Sequence, residues 1–314
     1  MNGFDMRRLT TVFLGTPEFA VPVLDMLAES TRLALVITQP DRPSGRGRKM
    51  APPPVMVRAR ELGVEAVQPE IVKGAKFTQF VSGYQPDVIV TAAFGRLLGA
   101  GLLSLPGYGC LNVHASILPR YRGAAPINHA ILNGETRTGV SIMRMVAELD
   151  AGPVFRVGEL DIGDDETAGE LTVRLATMGA VTLRDVLARL DELVPVPQDT
   201  AAATFAPPIC KEDGRIDWHR GAEQIARQVR GLHPWPCAFT FWNGAPLKVH
   251  TARAESGAGD HAPGTVIFHA ADGIRVACGS GVLVLRDVQM PGKKRLTPAQ
   301  FFSGVRLSSG SFLG

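Results

Sequence analysis

Alternating strand and helix patterns over residues 1–194, followed by short strand patterns over residues 209–314, predict an α/β protein with a mostly parallel sheet and a second, smaller β-barrel domain. Three observations support this prediction. Apolar runs suited to buried strands recur with amphipathic segments between them. Turn residues separate the short strands of the second part. The stretch "PVPQDTAAATFAPP" at 195–208, rich in Pro, Thr and Ala, predicts a linker between the two domains.

The composition is that of a globular protein with room for a full core. The chain has 314 residues, of which 45% are hydrophobic, and this length favours two domains over one. No apolar run approaches the ~20 residues that a membrane-spanning helix needs, and "MNGFDMRRLTTVFLG" predicts a first strand rather than a signal peptide. We therefore expect a cytoplasmic protein that does not bind a membrane.

The cysteines predict neither disulfides nor a metal site. Cys110, Cys210, Cys237 and Cys278 lie far apart, without a CxxC pair and without His at zinc-finger spacing. The acidic residues before Thr167 lack EF-hand spacing, and carboxylates at such a position ordinarily serve the positive end of a helix dipole. We expect free thiols and no metal.

The first domain begins as a βαβ unit does, with a strand at Thr10–Leu14, a tight turn at Gly15 and a helix that starts near Pro17. Further predicted strands span 33–38, 64–67, 87–91, 109–113, 139–145 and 153–160. Predicted helices span 54–62, 74–82 and 96–103, and a long amphipathic helix follows with Thr167 and Glu170 as its capping box. The alternation indicates a parallel sheet covered on both faces.

The second domain, over 209–314, contains one predicted helix and five predicted strands. The helix spans 221–231, and the strands span 238–242, 247–252, 264–269, 274–277 and 282–288. Short strands at this spacing favour a small OB-like barrel.

The stretch "LNVHASILPRYRGAAPI", Leu111 to Ile127, places an amide and an imidazole in an otherwise apolar strand. Successive side chains of a strand alternate between faces, so Asn112 and His114 point to one side of the sheet while Leu111 and Val113 point to the other. If the sheet is open and parallel, this carboxyl end of the strand is where ligands bind. A buried polar side chain without a partner costs roughly 1 to 3 kcal/mol, so the pair needs partners from the protein or from a substrate.

The pair suits a site where negative charge develops on an oxygen atom. It combines an amide donor with an imidazole whose unperturbed pKa is about 6.5. A carboxylate to orient the ring or accept a proton is missing from this stretch, and no neighbouring Ser or Cys stands out as a covalent nucleophile. Asp150 in "AELDAGPV" is one candidate among many, and a simple role in a turn would also explain it.

The nucleotide-binding motifs of such sheets are absent from the sequence. "GTPEFA" lacks the GxGxxG fingerprint, and no GxxxxGK[ST] occurs, so neither a dinucleotide nor a P-loop nucleotide is indicated. The stretch "QPDRPSGRGRKMAPPP", Gln39 to Pro54, is nearly free of apolar residues and is long for a loop, which indicates disorder or a binding role. Its four basic residues are Arg42, Arg46, Arg48 and Lys49.

A second basic segment occurs near the end of the chain. "PGKKR" spans Pro291 to Arg295 and contributes Lys293, Lys294 and Arg295, although the net charge of the chain is only +3. Both basic segments are suited to contacts with phosphates.

The motifs together resemble those of the bacterial methionyl-tRNA formyltransferases along nearly the whole chain. The matching stretches are "VFLGTPEFAVPVL", "TQPDRPSGRGRK", "LNVHASILPRYRGAAPI", "ELDAGPV", "CKEDGRIDW", "HPWPCAF" and "PGKK", in the order of that family. The HxSxLPxxRG pattern is shared with other enzymes that use 10-formyltetrahydrofolate. The early arginine-bearing loop and the carboxy-terminal domain are similar to the tRNA enzymes in particular.

The resemblance implies a Rossmann-like formyltransferase domain joined to an OB-fold tRNA-binding domain. It also implies that Asn112, His114 and Asp150 are the catalytic residues. The folate pocket that it implies is lined by Ser116, Ile117, Leu118 and Pro119 and, in the stretch "AAFGRLL", by Phe94, Gly95 and Leu97. The implied tRNA contacts are Arg42, Arg46, Arg48, Lys49, Lys293, Lys294 and Arg295.

The reaction implied by the resemblance is transfer of the formyl group of 10-formyltetrahydrofolate to the α-amino group of initiator methionyl-tRNA. Our hypothesis is a tetrahedral intermediate whose anionic oxygen accepts hydrogen bonds from Asn112 and His114, with Asp150 setting the protonation of the ring. We expect a monomer with no metal. Two alternatives are a folate-dependent formyltransferase for a small amine, such as an amino sugar nucleotide or glycinamide ribonucleotide, and a non-catalytic nucleic-acid-binding protein.

Overall fold

The computed structural model describes residues 5–44, 49–257, 260–270, 272–303 and 308–314. Contacts within the chain divide it into two compact units. The first unit comprises 1–126, 137–160 and 172–206, and the second comprises 127–136, 161–171 and 207–314.

The elements of the amino-terminal part follow the predicted alternation closely. The strands are β1 (Thr10–Gly15), β2 (Arg32–Ile37), β3 (Arg42–Ser44), β4 (Lys49–Ala51), β5 (Ala66–Val67), β6 (Val88–Ala92), β7 (Cys110–His114), β8 (Arg122–Gly123), β9 (Arg137–Arg144), β10 (Val154–Asp161) and β11 (Phe205–Ala206). The helices are α1 (Val21–Ser30), α2 (Pro54–Glu61), α3 (Ala75–Ser82), α4 (Ala100–Leu103), α5 (Pro126–Leu132) and α6 (Ala168–Ala188).

Seven strands form the main sheet in the order β10-β9-β7-β6-β1-β2-β5. The pairs β5-β2, β2-β1, β1-β6 and β6-β7 are parallel, and β9 runs antiparallel to β7. Every residue of β1 and of β6 is buried, as expected for central strands covered on both faces. The predicted mostly parallel sheet is therefore confirmed.

The polar and apolar side chains of β7 separate to opposite faces of the sheet. On the apolar side, α6 approaches so closely that a Cβ atom built on Gly179 would lie 2.8 Å from Cγ1 of Val113. Leu111 is also fully buried, whereas Asn112 on the other face is partly exposed. Strand alternation thus leaves the amide and the imidazole on the face that α6 does not cover.

The second unit contains a curled antiparallel sheet, a half-barrel, which confirms the predicted small barrel domain. Its elements are α7 (Ala222–Gly231), β12 (Ala238–Trp242), β13 (Ala245–Glu255), β14 (Val266–Ala270), β15 (Gly273–Ala277), β16 (Val282–Gln289) and α8 (Pro298–Phe302). The strand order is β12-β13-β16-β15-β14. Ile225 and Val229 of α7 are buried in the same apolar core as Leu247, Val276 and Leu285 of the sheet.

The segment 195–208, predicted to be a linker, makes backbone hydrogen bonds to the first unit. Val196 exchanges two backbone hydrogen bonds of 2.8 Å with Val154, and β11 pairs in parallel with β8. Prolines on either side of Val196 remove donors but leave its own N–H and C=O free to pair. The domain boundaries at 194 and 208 stay a prediction, and the compact units differ from them.

Segments 127–136 and 161–171 belong to the second unit, where Asn128 Nδ2 donates to the carbonyl of Gly231 at 2.7 Å.

In the loop predicted from composition to be disordered or to bind, β3 and β4 form a short antiparallel ladder that pairs Arg42 with Ala51 and Ser44 with Lys49. Within the described residues, no helix is long and apolar enough to cross a membrane.

Burial of the cysteines generates a testable prediction. Cys110, Cys237 and Cys278 are buried, and desolvation raises the pKa of Cys110 to about 12 and that of Cys278 to about 11. Cys210 is exposed. Because thiolates are the reactive form, we expect one fast-reacting thiol in the native protein near pH 8 and three more only after unfolding. Labelling with a chromogenic disulfide reagent measures this; Cys210→Ser removes the fast phase. A second fast thiol in that variant contradicts the packing.

Candidate active site

The predicted catalytic residues of β7 and the predicted folate-binding segments gather at one edge of the main sheet, because parallel strands end together. Strands β1, β2, β6 and β7 run in the same direction, so the residues that follow them meet at their carboxyl ends. Asn112 and His114 end β7, Phe94 and Gly95 follow β6, and Gln39 follows β2. This edge of the first unit is the candidate active site.

The amide of Asn112 is oriented by the neighbouring strand. Thr91 of β6 stands in register with Asn112, and its Oγ1 donates to Oδ1 of Asn112 at 2.7 Å. The Thr91 hydroxyl thus engages the carbonyl oxygen of the amide and leaves Nδ2 as its donor. Among the described residues, no protein acceptor lies within hydrogen-bond distance of Nδ2. The amide can therefore donate to a ligand oxygen.

The imidazole of His114 is buried and has a protein partner at each nitrogen. Nε2 lies 3.0 Å from the backbone oxygen of Tyr121, and Nδ1 lies 3.6 Å from Oδ2 of Asp150. A carbonyl oxygen only accepts hydrogen bonds, so Nε2 must carry a hydrogen. The Nδ1 contact is too long for a hydrogen bond, and Nδ1 is therefore the nitrogen that can exchange its neighbour for a substrate.

The carboxylate next to the His114 ring is that of Asp150, one of many candidates that the sequence offered. It lies in the loop between β9 and β10, and its side chain is almost completely buried. Its Oδ2 accepts a hydrogen bond of 2.9 Å from the backbone N–H of Gly123. The backbone of Asp150 is left-handed, with φ of 50°, a conformation that few non-glycine residues adopt, although aspartate does so more readily than most.

The four residues of the predicted folate segment after β7 differ in exposure. Ser116 and Leu118 are buried, while Ile117 and Pro119 are half-buried. The hydroxyl of Ser116 donates to the backbone oxygen of Arg120 at 2.6 Å. The backbone of this segment, and the side chains of Ile117 and Pro119, are therefore what it can present to a ligand.

The predicted folate residues after β6 form the adjoining loop. Phe94 is buried in the core, Gly95 is exposed, and Leu97 exposes 53% of its surface. The backbone oxygen of Phe94 accepts a hydrogen bond of 2.6 Å from Nε2 of Gln39. Gln39 also accepts from the guanidinium of Arg42, so it joins the loop after β6 to the start of the basic segment.

The predicted tRNA contacts occur in both units. Arg42 and Lys49 are exposed on β3 and β4, and Arg46 and Arg48 lie outside the described residues. In the second unit, Nη2 of Arg295 is 2.7 Å from Oδ2 of Asp287, which partly neutralises its charge. Lys293 and Lys294 are exposed on a turn, and neither has a carboxylate within 4.0 Å in the part of the chain that is described. These two lysines are the more available cations.

Sequence reasoning missed three side chains that hold the site together. Thr91 fixes Asn112, Gln39 joins two loops, and Gln198 donates to the backbone oxygens of Asp150 and Gly152 at 2.8 and 2.7 Å. The register of β6 with β7 could have indicated Thr91. Nothing around the glutamines in the sequence distinguishes them from surface residues.

The arrangement suits proton transfer and stabilisation of an anionic oxygen. An amide N–H is available for a developing oxyanion, and an imidazole beside a carboxylate can exchange a proton with a reacting amine. No group of three metal-ligating side chains occurs among the described residues. The donors and acceptors present are of the kind that acyl transfer uses.

Two family models match most of the chain. The model described as "Formyl transferase" matches residues 8–187, and "Formyl transferase, C-terminal domain" matches residues 208–306. Among curated relatives, the methionyl-tRNA formyltransferase of Citrifermentans bemidjiense is 47% identical over 98% of both chains. Those of Halalkalibacterium halodurans and Sorangium cellulosum are each 46% identical, over 96% and 98% of this chain and 98% and 100% of theirs.

Solved structures share the fold at low sequence identity. HypX from Aquifex aeolicus in complex with tetrahydrofolic acid has a TM-score of 0.63 at 17% identity, and the match covers 98% of this chain and 51% of HypX. WlaRD, a sugar 3N-formyl transferase, has a TM-score of 0.63 at 16% identity, covering 91% of this chain and 99% of WlaRD.

The loop that carries Asp150 generates a prediction about Gly152. A Cβ atom on Gly152 would lie 1.8 Å from the backbone oxygen of Arg144, so Gly152→Ala must displace the loop. We expect the free energy of unfolding to fall by at least about 1 to 3 kcal/mol, measured by urea denaturation. Gly107→Ala is the matched control, because its Cβ would meet open space. Equal stability of the two variants would contradict this tight turn.

Proposed function

The chain belongs to the formyl transferase family and is an enzyme, and on that premise we propose that it transfers the formyl group of 10-formyltetrahydrofolate to the α-amino group of methionine on initiator methionyl-tRNA. The observation that carries the proposal is the convergence of Asn112, His114 and Asp150 at the carboxyl edge of the sheet. The near full-length relatives with that activity in their names support the choice of acceptor.

In the proposed reaction the amine nitrogen attacks the formyl carbon that is attached to N10 of the folate. A carbon–nitrogen bond to the amine forms, the bond to N10 breaks, and the carbonyl oxygen carries negative charge in between. Nδ2 of Asn112, freed by the Thr91 bond to Oδ1, donates to that oxygen. A donor that is already oriented before the reaction needs no reorganisation as the charge develops, so it stabilises the oxyanion effectively.

The His114–Asp150 pair would manage the proton of the amine. The proton that leaves the attacking nitrogen passes to the pair and is returned to N10 as that bond breaks, so charge balances over the cycle. Because Nε2 already donates to the carbonyl of Tyr121, His114 would exchange the proton of the amine at Nδ1, next to Asp150. The proton is a property of the coupled pair rather than of one residue. Any hydrogen bond from His114 to the oxyanion also uses Nδ1.

The folate would bind between the loop after β6 and the segment after β7. Leu97, which is half exposed, and the partly exposed Ile117 offer apolar contact to a flat ring, while the exposed backbone at Gly95 offers polar contact. The segments around Phe94 and Ser116 are fixed by hydrogen bonds to Gln39 and Arg120, so these walls are preformed. Preformed walls reduce the entropy cost of binding.

The tRNA would be held by the basic residues of both units. The segment with Arg42, Arg46, Arg48 and Lys49 begins beside the site, since Arg42 bonds to Gln39, which bonds to the loop after β6. Lys293, Lys294 and Arg295 would contact phosphates elsewhere on the tRNA. A cytoplasmic location follows from a charged tRNA as substrate. Action as a monomer is also part of the proposal, and sedimentation of the purified protein tests it.

The proposal is tested by formyl transfer with labelled 10-formyltetrahydrofolate. Charged initiator tRNA, an amino sugar nucleotide and glycinamide ribonucleotide are offered separately to the purified full-length chain. We expect formylation of the charged tRNA alone. Preferred formylation of a small amine would support the rival enzyme class, and tRNA binding without transfer would support a binding protein.

Replacing the proposed oxyanion donor tests the role of Asn112. Asn112→Asp keeps the size of the side chain and removes the Nδ2 donor, so we expect kcat to fall by about 10² to 10³. Folate affinity and melting temperature should change little, because Nδ2 contacts the reacting oxygen rather than the pterin. Asn112→Ala gives the same result in the absence of added charge. Near-normal kcat in a folded Asn112→Ala variant would exclude this role.

The exposed lysines generate a prediction about salt dependence. If Lys293 and Lys294 each neutralise one phosphate, the double substitution to Ala should reduce the slope of log K against log salt by about 1 to 2 and leave folate affinity unchanged. Titration of the protein with charged tRNA at several salt concentrations measures the slope. The double substitution of Lys73 and Lys76 to Ala, two exposed lysines near the start of α3, is the charge-matched control. An unchanged slope in the double variant rules out phosphate contacts by these lysines.

A further inference from the structure

The segment 195–208, with the composition of a linker, reaches the candidate active site through one side chain. Gln198 lies between the backbone bridge at Val196 and β11, and it is only partly exposed. Its amide makes four hydrogen bonds of 2.7 to 3.1 Å. A surface glutamine in a free linker would be hydrated instead, so this side chain is tied into the fold.

The nitrogen of the Gln198 amide holds the loop that carries Asp150. Nε2 donates to the backbone oxygen of Asp150 at 2.8 Å and to that of Gly152 at 2.7 Å. These two carbonyls flank the left-handed turn at Asp150, where φ is 50°. Since a left-handed non-glycine residue costs free energy, the two bonds help to keep the turn in place.

The oxygen of the same amide holds a buried cation. Oε1 accepts from Nε and Nη2 of Arg122 at 3.1 and 2.9 Å, and Arg122 is 2% exposed. The nearest carboxylate, that of Glu148, is 3.6 Å from Nη1 and is largely exposed. A buried guanidinium needs close acceptors, and Gln198 supplies two of those bonds.

Arg122 connects this amide back to the carboxylate of Asp150. The residue after it, Gly123, donates its backbone N–H to Oδ2 of Asp150 at 2.9 Å. Gln198 therefore joins both supports of Asp150: its backbone directly, and its side chain through Arg122 and Gly123. His114 then meets Asp150 at 3.6 Å.

We propose that Gln198 is a positioning residue that sets the carboxylate of Asp150 against Nδ1 of His114. This inference rests on the proposed function, because it assigns a role within the proton transfer of that reaction. Gln198 touches neither substrate nor reacting atom and acts through Asp150. A misplacement of about 1 Å in a catalytic group can cost about 10²-fold in rate. Loss of the two hydrogen bonds from Nε2 should therefore lower kcat about 10- to 100-fold.

Gln198→Glu separates the role of the Nε2 donor from that of the Oε1 acceptor. A glutamate keeps an acceptor for Arg122 and replaces the Nε2 donor by an oxygen that faces two carbonyl oxygens. We expect kcat for formyl transfer to fall about 10- to 100-fold with KM for folate and for tRNA within about twofold. Asp199→Ala is the matched control from the same segment, since Asp199 only caps the short turn at Ala201 and should leave kcat unchanged.

A double-mutant cycle distinguishes positioning from a general loss of structure. In the Asp150→Asn background there is no carboxylate to position, so Gln198→Glu should lower kcat no further. An equal additional loss in that background would overturn the proposal. Normal kcat in a folded Gln198→Glu protein would also overturn it.

Activity of the wild-type chain tests the proposed function separately from the role of Gln198. If the wild-type chain does not formylate charged tRNA, the proposed function fails before any variant is compared; if it does and the cycle is additive, only the role of Gln198 fails. Gln198→Ala serves as the second variant should Gln198→Glu not fold. If neither variant folds, as judged by circular dichroism, Gln198 is a stability element and the positioning role is excluded.

Discussion

The account depends on the way His114 is fixed between a carbonyl and a carboxylate. The backbone oxygen of Tyr121 accepts a hydrogen bond from Nε2, and Nδ1 thereby points towards Asp150. This orientation decides which nitrogen can exchange a proton and where a reacting amine must sit. The fold supplies both partners, Tyr121 seven residues further along the chain and Asp150 from a separate loop, so the ring needs no substrate to acquire its direction.

The main sheet explains why such a site occurs where it does. Parallel strands end at one edge, so the segments that follow β6 and β7 begin side by side there. The alternation along β7 places Val113 against α6 and leaves Asn112 partly exposed on the other face. A hydroxyl on the neighbouring strand then fixes the amide. The same packing rules that bury the core thus produce an oriented donor beside an oriented ring.

Much of this architecture can be predicted from local pattern alone. The strand that contains Asn112 and His114, its neighbours and the capping box of Thr167 with Glu170 all follow from periodicity and turn residues. The partner carboxylate cannot be obtained in this way, because a loop contact 36 positions away depends on tertiary structure. The role of Gln198 is hidden for a further reason: Pro, Thr and Ala around it indicate a linker, and only its four hydrogen bonds distinguish it.

The most direct measurement of the central claim is the protonation of His114 by nitrogen-15 NMR of the full chain, with the resonance assigned by its loss in His114→Gln. The account predicts that Nε2 carries the hydrogen of the neutral ring and that Nδ1 bears none. A neutral ring with its hydrogen on Nδ1 and a bare Nε2 would contradict it, since Nε2 could not then donate to the carbonyl of Tyr121 and Nδ1 could not take up the proton of the amine.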